Sequence, residues 1–501
     1  MNINTTVNEI LIPTVENVGA SEREIELDAE IPEYFPDAKR IVKVDCTPFA
    51  EKYSFEGGKV NISGRAVFDV LYETGGKSKL KCCVFTKEFS VFAMLKEQVS
   101  ESDIDCELFV SALSCDLLNS RKAIVRARIG GSVKATYVTP IKALGVSEND
   151  GIYFKQKEIS FDGKPEYSRS DFKFSESVTL SHGEKNIGEI DHGEIRLSGV
   201  RTSFKDGRAE IKADADALIF YEDEDAGELT FTKKTIPISF GMQAKTDGSG
   251  RHGIRLEISE KEFTPELDRY GESRGIKVSF CVKATLSEVC TEVKTVAEDV
   301  FERDFDGTPA FIDADLVYTS AEDETPMSFD TTFIPEGQSV KEIFGCGVAK
   351  TIFSKDFAGE NEKAKGSFAV AILAGTENGI YEFQTSVPFE AEGENLEIIS
   401  PEAEATLHGD GRINVRVGAV FKKSIRTAEH ARFVSEITKR TEIKKGEKKP
   451  EFIFCFPTAD ETLWDIAKRY RVSPDAVAEN NEKNFASGEH FKVGKPIFIK
   501  L

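Results

Sequence analysis

Residues 57–76 of the chain read GGKVNISGRAVFDVLYETGG and alternate apolar with mostly polar side chains. Alternation at every second residue is typical of a β-strand with one buried face. The glycines that end the stretch favour a turn. The pattern therefore predicts a strand whose inward face carries Val60, Ile62, Ala66, Phe68, Val70 and Tyr72.

This strand pattern occurs twice more, as DGRAEIKADADALIFYEDEDAG at 206–227 and EKAKGSFAVAILAGTENG at 362–379. In each copy a second strand follows the glycine-containing turn, as in a hairpin, and a later stretch rich in β-branched residues closes the copy. The copies recur about every 150 residues, which is too long for a solenoid repeat and suits whole domains in tandem.

We therefore expect a mainly β fold of three tandem β-sandwich-like domains, followed by a small α+β domain. The chain of 501 residues is too long for one hydrophobic core, which agrees with several domains. The expected boundaries are 1–160, 161–305 and 306–437 for the β domains, 438–450 for a basic linker, and 451–501 for the last domain.

The charge and the apolar runs of the chain argue against nucleic-acid partners and membrane insertion. Its net charge is -22, from 65 basic and 87 acidic residues, and would repel phosphate backbones, so we expect no nucleic-acid partner. The opening residues, MNINTTVNEILIPTVENVG, lack the basic and apolar regions of a secretory signal, and no apolar run reaches the roughly 18 residues that span a bilayer. We therefore expect a cytosolic protein without direct membrane insertion.

Residue types that carry catalysis or bind metals show no recognisable spacing. The nine cysteines form no CxxC pair, and the sequence contains no HExxH motif, phosphate-binding glycine loop or nucleophile elbow. The acidic stretch YEDEDAGE at 221–228 lies between two strands and lacks the ordered spacing of a calcium loop. The 87 acidic residues leave a glycoside-hydrolase carboxylate pair open, but the sequence singles out none. We expect a non-enzymatic protein without a cofactor or metal.

The tail, 451–501, has a different pattern from the rest of the chain. A short strand at 452–456 precedes a helix that begins near Thr462, where Leu463, Ile466 and Ala467 recur at helical spacing. Ser and Pro at 473–474 favour the start of a second helix. A strand at 496–501 completes a predicted βααβ order.

The opening of the first copy resembles the SPOCS domain of spore-coat-associated proteins from spore-forming Firmicutes. That family carries an apolar residue before Pro, then Pro-Asp, ahead of an RI or KI strand. The sequence has Ile-Pro at 31–32, Pro-Asp at 36–37 and Arg-Ile at 40–41. The third copy keeps Phe-Ile-Pro at 333–335, and the second copy lacks the signature.

The tail resembles a LysM domain over its whole length. Glycan-binding LysM domains usually have Gly-Asp-Thr before the Leu of helix one, and they hold N-acetylglucosamine units between that loop and the loop after helix two. Asp460 and Glu461 stand where that triplet has Gly and Asp, which favours a protein ligand over a glycan. The resemblance implies a partner-binding surface made of Asp460, Glu461, Thr462, Trp464, Asn480 and Asn481.

Trp464 is the only tryptophan of the chain, and two interpretations of it are open. It is either a core-edge aromatic that holds helix one on the sheet or an anchor in a partner interface, where Trp is enriched.

Repeated SPOCS-like domains followed by a LysM-like domain resemble the SipL-like spore coat morphogenetic proteins. This resemblance implies a non-enzymatic scaffold in the mother-cell cytoplasm at the forespore surface. Its partner would be the polymerising ATPase of the coat basement layer, bound through the LysM domain, with other coat proteins as further partners. The alternatives are a cell-wall protein that binds peptidoglycan and a wall hydrolase with a LysM anchor.

Overall fold

The computed structural model describes residues 7–75, 80–144, 151–246, 248, 250–356, 363–392, 396–443, 451–458, 460–487, 490–492 and 494–500. The prediction of a mainly β fold is confirmed, because strands account for 77% of the structure and helices for 5%. The strands group into block 1 (7–144), block 2 (151–302), block 3 (305–443) and a C-terminal module (451–500).

Block 1 is a sandwich of two antiparallel sheets. One sheet has the order β3–β4–β5, and in the other β7 lies between β2 and β6. β1 pairs with the last part of β7, so that Val7 lies opposite Leu144. The elements are β1 (Val7–Gly19), β2 (Arg23–Glu30), β3 (Ala38–Glu56), β4 (Lys59–Thr74), β5 (Leu80–Met94), a 3-10 turn (Glu101–Asp103), β6 (Ile104–Asn119) and β7 (Lys122–Leu144).

Block 2 repeats this arrangement with the sheets β10–β11–β12 and β13–β14–β9, and with β8 paired to β15. The boundary predicted at 160 falls inside β8. The strands are β8 (Ile152–Asp162), β9 (Glu166–Thr179), β10 (Ile187–Lys205), β11 (Arg208–Asp223), β12 (Leu229–Gln243), β13 (Arg251–Leu267), β14 (Ser273–Val289) and β15 (Thr291–Glu302).

Block 3 uses fewer, longer strands for the same plan. Its sheets are β17–β18–β19 and β16–β21–β20. Residues 438–442 of the predicted linker belong to β21, and residues 444–450 lie outside the described residues. The strands are β16 (Phe305–Phe333), β17 (Val340–Asp356), β18 (Lys363–Thr376), β19 (Gly379–Glu392), β20 (Glu397–Leu407) and β21 (Ile413–Glu442).

The three blocks share a detail of register as well as the strand plan. An unpaired bulge residue interrupts the pairing of β3 with β4 at Val42, of β10 with β11 at Asp191, and of β17 with β18 at Phe344. A bulge bends its strand and increases the local twist. The first strand of each three-stranded sheet is therefore bent at the same point in each block.

The inward face predicted for the first copy is confirmed, and the second copy has the same burial pattern. In β4 the side chains of Val60, Ile62, Ala66, Phe68, Val70 and Tyr72 are at most 2% exposed. In β11 the alternate residues from Ala209 to Tyr221 are at most 4% exposed. These faces pack against β7 and β14 to form the sandwich cores of blocks 1 and 2.

Each block also extends a two-stranded ribbon beyond its sandwich: β1–β7 in block 1, β8–β15 in block 2 and β16–β21 in block 3. The ribbons pack on one another through an apolar cluster, which we call the ribbon cluster. Its buried members are Ile10 and Ala143 of block 1, Ile159, Phe161 and Val296 of block 2, and Ala314, Leu316, Ala431 and Phe433 of block 3.

A second apolar cluster joins the blocks beside the bulges. Leu71, Phe220 and Leu373 occupy the same position in the three copies, opposite the residue that follows the bulge. All three are buried in one cluster, at 1%, 0% and 5% exposure. The rings of Phe220 and Phe231 each lie 5.2 Å from that of Phe344. Because equivalent residues meet, the blocks surround a pseudo-threefold axis.

Polar contacts cross each of the three boundaries between blocks and close the ring. They are Arg255 Nη2 to Asp105 Oδ1 at 2.7 Å between blocks 1 and 2, Thr319 Oγ1 to Asp162 Oδ2 at 3.0 Å between blocks 2 and 3, and Arg40 Nη2 to the Ile380 carbonyl at 2.8 Å between blocks 1 and 3.

The C-terminal module has the expected order of strand, two helices and strand around its own core. Helix α1 begins after Thr462, whose hydroxyl accepts from the Asp465 N–H while the Asp465 carboxylate accepts from the Thr462 N–H. No described helix has the length and hydropathy needed to cross a membrane. The elements are β22 (Phe452–Cys455), α1 (Leu463–Tyr470), α2 (Pro474–Asn480), a 3-10 turn (Glu482–Asn484), β23 (Phe485–Ser487), β24 (His490–Phe491) and β25 (Ile497–Lys500).

Removing the aromatic ring at the bulge of block 3 tests the packing between blocks. Phe344→Ala should lower the free energy of unfolding by about 3 kcal/mol, because it leaves a cavity against Phe220 and Phe231 of block 2. Urea denaturation followed by circular dichroism measures the loss. Phe92→Ala, at a ring that is 40% exposed, is the matched control and should cost under about 1 kcal/mol. Equal losses of stability in the two variants would contradict the packing of Phe344 between blocks 2 and 3.

Candidate functional site

The loop before helix α1 carries the first three residues of the predicted surface. Asp460 is exposed. Glu461 is half-buried, accepts from the Thr458 N–H at 2.8 Å and forms an ion pair with Arg469. Thr462 caps α1 and forms an isolated β-bridge with His490. Of these three residues, Asp460 is the one whose side chain is open to a partner.

The two asparagines after helix α2 have different environments. Asn480 is exposed and donates to the Ala476 carbonyl at 2.6 Å. Asn481 is 3% exposed and joins helix α2 to β25. Its amide donates to the carbonyls of Val477 and Phe498 and accepts from the Phe498 N–H, at 2.7 to 2.8 Å. Asn481 therefore holds the module together, and Asn480 remains available at its surface.

Trp464 is 7% exposed, but its main contacts lie outside the module. The indole N–H donates to Asp299 Oδ2 at 2.8 Å, and the indole ring packs edge-on to Phe301 with centroids 5.1 Å apart. Tyr153 and Ala467 complete this small cluster. Trp464 is thus the contact between the C-terminal module and block 2, a role that neither sequence interpretation included.

Lys468 of helix α1 and Arg471, which follows the helix, extend this contact to block 2 and the start of block 3. Lys468 Nζ binds Asp299 Oδ2. The Arg471 guanidinium donates to the Glu302 carbonyl at 2.9 Å and to Asp306 Oδ1 at 2.6 Å. We call the whole contact the α1 dock: Trp464, Ala467, Lys468 and Arg471 of the module against Tyr153, Asp299, Phe301, Glu302 and Asp306.

Strand β22 and the residue after it present aromatic rings to solvent. Phe452, Phe454 and Phe456 are 47%, 68% and 65% exposed. Phe498 of β25 lies beside them, 5.0 Å from the ring of Phe452 and 5.6 Å from that of Phe454. Alternation along β22 explains the arrangement, because Cys455 points into the core while its neighbours point outward. This aromatic face is open to a partner.

A cavity of about 860 Å³ lies between the three blocks and is lined by residues of each. Its lysines are paired across block boundaries. Lys43 Nζ lies 2.8 Å from Glu194, and Lys261 Nζ lies 2.7 Å from Asp69. Because carboxylates neutralise these two lysines, the pairs serve the contact between blocks.

Among the described residues, one group of carboxylates has the spacing of a metal site. Single oxygens of Glu189, Asp191 and Glu222 lie within 4.8 Å of one another. Lys81 Nζ lies 2.9 Å from Glu189 and 2.8 Å from Asp191, so an ammonium group occupies the place of a cation. The arrangement is an ion pair between blocks 1 and 2.

Burial raises the pKa of six of the nine cysteine thiols, the opposite of what activates a nucleophile. All nine are free thiols, and burial raises the pKa of Cys46 and Cys106 to about 12. Reactive cysteines require a lowered pKa, so these two stay protonated at neutral pH.

The ion pair at Asp191 should make stability depend on pH. Burial raises the pKa of the Asp191 carboxyl to about 7, against the opposing effect of Lys81. The folded chain therefore binds a proton more tightly than the unfolded chain, whose Asp titrates near pH 4, and stability falls as pH rises from about 4 through about 7. Asp191→Asn removes this slope. Thermal melts between about pH 5 and pH 8 should show the wild type losing stability relative to the variant. Parallel curves would contradict the assignment.

Replacing each asparagine with alanine should show that Asn481 stabilises the module and that Asn480 does not. Asn481→Ala should destabilise the module by about 2 kcal/mol, because buried polar groups of Val477 and Phe498 lose their partners. Asn480→Ala should stay within about 0.5 kcal/mol. Urea denaturation followed by Trp464 fluorescence measures both changes, since this residue is the only Trp of the chain. A larger loss at Asn480 than at Asn481 would contradict the structure.

Comparison with known families gives one match in block 1. Residues 37–118 match the family model described as SipL, SPOCS domain. The matched segment runs from the start of β3 to the end of β6. No curated protein and no solved structure matches the chain. The family match supports the resemblance to SipL-like proteins and indicates a role related to sporulation or the spore coat.

Proposed function

We propose that the chain is a non-enzymatic scaffold and adaptor of bacterial endospore coat assembly. The observation that carries the proposal is the match of residues 37–118 to the SPOCS domain of SipL. The strand plan and bulge of that segment recur in blocks 2 and 3. Three such blocks closed around one axis give a large body with many surface positions for coat proteins, as a scaffold requires.

The proposed docking element is the C-terminal module, which we interpret as a LysM domain from its sequence and its βααβ order. Its partner in this proposal is the polymerising ATPase of the coat basement layer, reached in the mother-cell cytoplasm at the forespore surface. The exposed carboxylate of Asp460 and the exposed amide of Asn480 are the predicted surface residues most accessible to that partner. The open aromatic face around Phe454 adds exposed Phe side chains, a residue type enriched in protein interfaces.

Co-purification from sporulating cells tests this function. The full chain, isolated with a tag, should retain the basement-layer ATPase, and a chain that ends at residue 443 should lose it while keeping the β circular dichroism of the blocks. If the shortened chain still retained the ATPase, the docking surface would lie on the three blocks and not on the module. If neither chain retained the ATPase, the proposed adaptor function would be contradicted.

A pull-down with insoluble peptidoglycan tests the alternative function. Glycan-binding LysM domains sediment with this polymer, and the full chain should stay in the supernatant. Strong sedimentation that free N-acetylglucosamine oligomers reverse would favour a cell-wall protein over the adaptor. Muralytic activity of the chain would establish the third possibility, a wall hydrolase.

Reversing the charge at the exposed loop should weaken docking. Asp460→Lys should reduce the association rate with the basement-layer ATPase about fivefold at low salt, because the acid attracts a basic patch on the partner. The difference should shrink as salt screens it. Asp330→Lys, at an exposed acid of β16, is the control. Equal kinetics for all three proteins at low salt would place the interface elsewhere on the module.

A further inference from the structure

The α1 dock covers a surface that the sequence assigns to a partner. Trp464 belongs to the predicted partner-binding set, and Asp460, Glu461 and Thr462 precede it directly. In the structure Trp464 is only 7% exposed. Phe301 and Asp299 contact its indole at the positions that a partner would take. Block 2 and an external partner cannot hold this side of helix α1 at the same time.

The contact has the character of a reversible one. In the two ion pairs of the dock, Lys468 is 43% and Asp299 20% exposed, and Arg471 is 33% and Asp306 73% exposed. Ion pairs this open to water contribute little and are screened by salt. Trp464, Phe301 and Ala467 form a small buried cluster of their own, separate from the core of the module and from the sandwich core of block 2. The dock can therefore open without exposing either core.

We propose that the α1 dock is an autoinhibitory contact, in which block 2 covers Trp464 until the partner of the module displaces it. The inference rests on the proposed function, because it concerns the surface through which the module meets the basement-layer ATPase. In the closed state the module presents Asp460 and its aromatic face. In the open state Trp464, Lys468 and Arg471 become available as well, and the affinity rises.

Charge reversal at Asp299 of block 2 and Asp306 of block 3 should open the dock without changing the module. Asp299→Lys with Asp306→Lys replaces two acceptors of the α1 face with cations that repel Lys468 and Arg471. Asp299→Asn with Asp306→Asn is a milder second variant that keeps side-chain size. The control is Asp171→Lys with Asp330→Lys, which makes the same charge change at exposed acids of β9 and β16. Circular dichroism verifies that each variant is folded.

Trp464 reports the state of the dock directly, since no other Trp contributes to the emission. The wild type and the control should emit at short wavelength and resist quenching by acrylamide. The Lys variant should emit at longer wavelength and be quenched more strongly. Raising the salt concentration should move the wild type in the same direction. Unchanged emission in the folded Lys variant would overturn the proposal.

Binding to the purified basement-layer ATPase completes the test. The apparent Kd equals the intrinsic Kd divided by the fraction of molecules in the binding-competent state. Because the opened variants raise that fraction, they should bind about tenfold more tightly than the wild type. Equal or weaker binding by opened variants, with the wild type bound normally, would overturn the autoinhibition and leave the proposed function standing. Failure of the wild type and of every variant to bind would overturn the proposed function, and the autoinhibition with it.

Discussion

The apolar contact of three two-stranded ribbons at one axis is the interaction on which the rest of the structure depends. Phe161 of block 2 and Leu316 and Phe433 of block 3 are each at most 1% exposed in this contact. Ile10 of block 1 belongs to the same cluster. A ribbon alone has an apolar face and no sheet to cover it, and a two-stranded ribbon is marginal in water. The three ribbons cover one another, so the apolar face of each ribbon is buried only when the other two blocks are in place.

The long strands link this axis to the sandwiches and to the C-terminal module. β16 and β21 run from a sandwich sheet into a ribbon as one continuous pair, and β7 runs from its pairing with β2 and β6 into its pairing with β1. β15 belongs to the ribbon of block 2, and it also carries Asp299 and Phe301, on which the module docks. The orientation of the module is therefore set by the same ribbons that hold the blocks together. In the proposed adaptor, opening the dock frees the module and leaves the ring intact.

The sequence predicts the strands and their inward faces well, because a period of two residues follows directly from strand geometry. Packing between blocks was harder to predict, because alternation shows that a face is buried without showing what covers it. One signal was present: the alternation fails at Leu71, Phe220 and Leu373, where two apolar residues stand together at the same point of each copy. A strand apolar on both faces is buried on both, and the structure buries these positions between blocks.

The candidate site shows a similar limit. Helical spacing correctly assigned Ile466 and Ala467 to buried positions, since those residues are 0% exposed. Trp464 lies beside them, and its partners Asp299 and Phe301 are 165 and 163 positions earlier in the chain, where no local pattern could indicate them. The LysM resemblance places Asn481 on the binding surface because it lies in the loop after helix two, and its buried role depends on the approach of β25.

Small-angle X-ray scattering of the full chain in solution tests most directly whether the three blocks close around one axis. A compact chain of this length has a radius of gyration of about 23 Å, which is the value that the ring predicts. Three blocks strung out in tandem, each with its own core and no shared axis, would give a value above about 30 Å with a pair-distance distribution extended to long distances. The second result would contradict the ribbon cluster and every conclusion drawn from it.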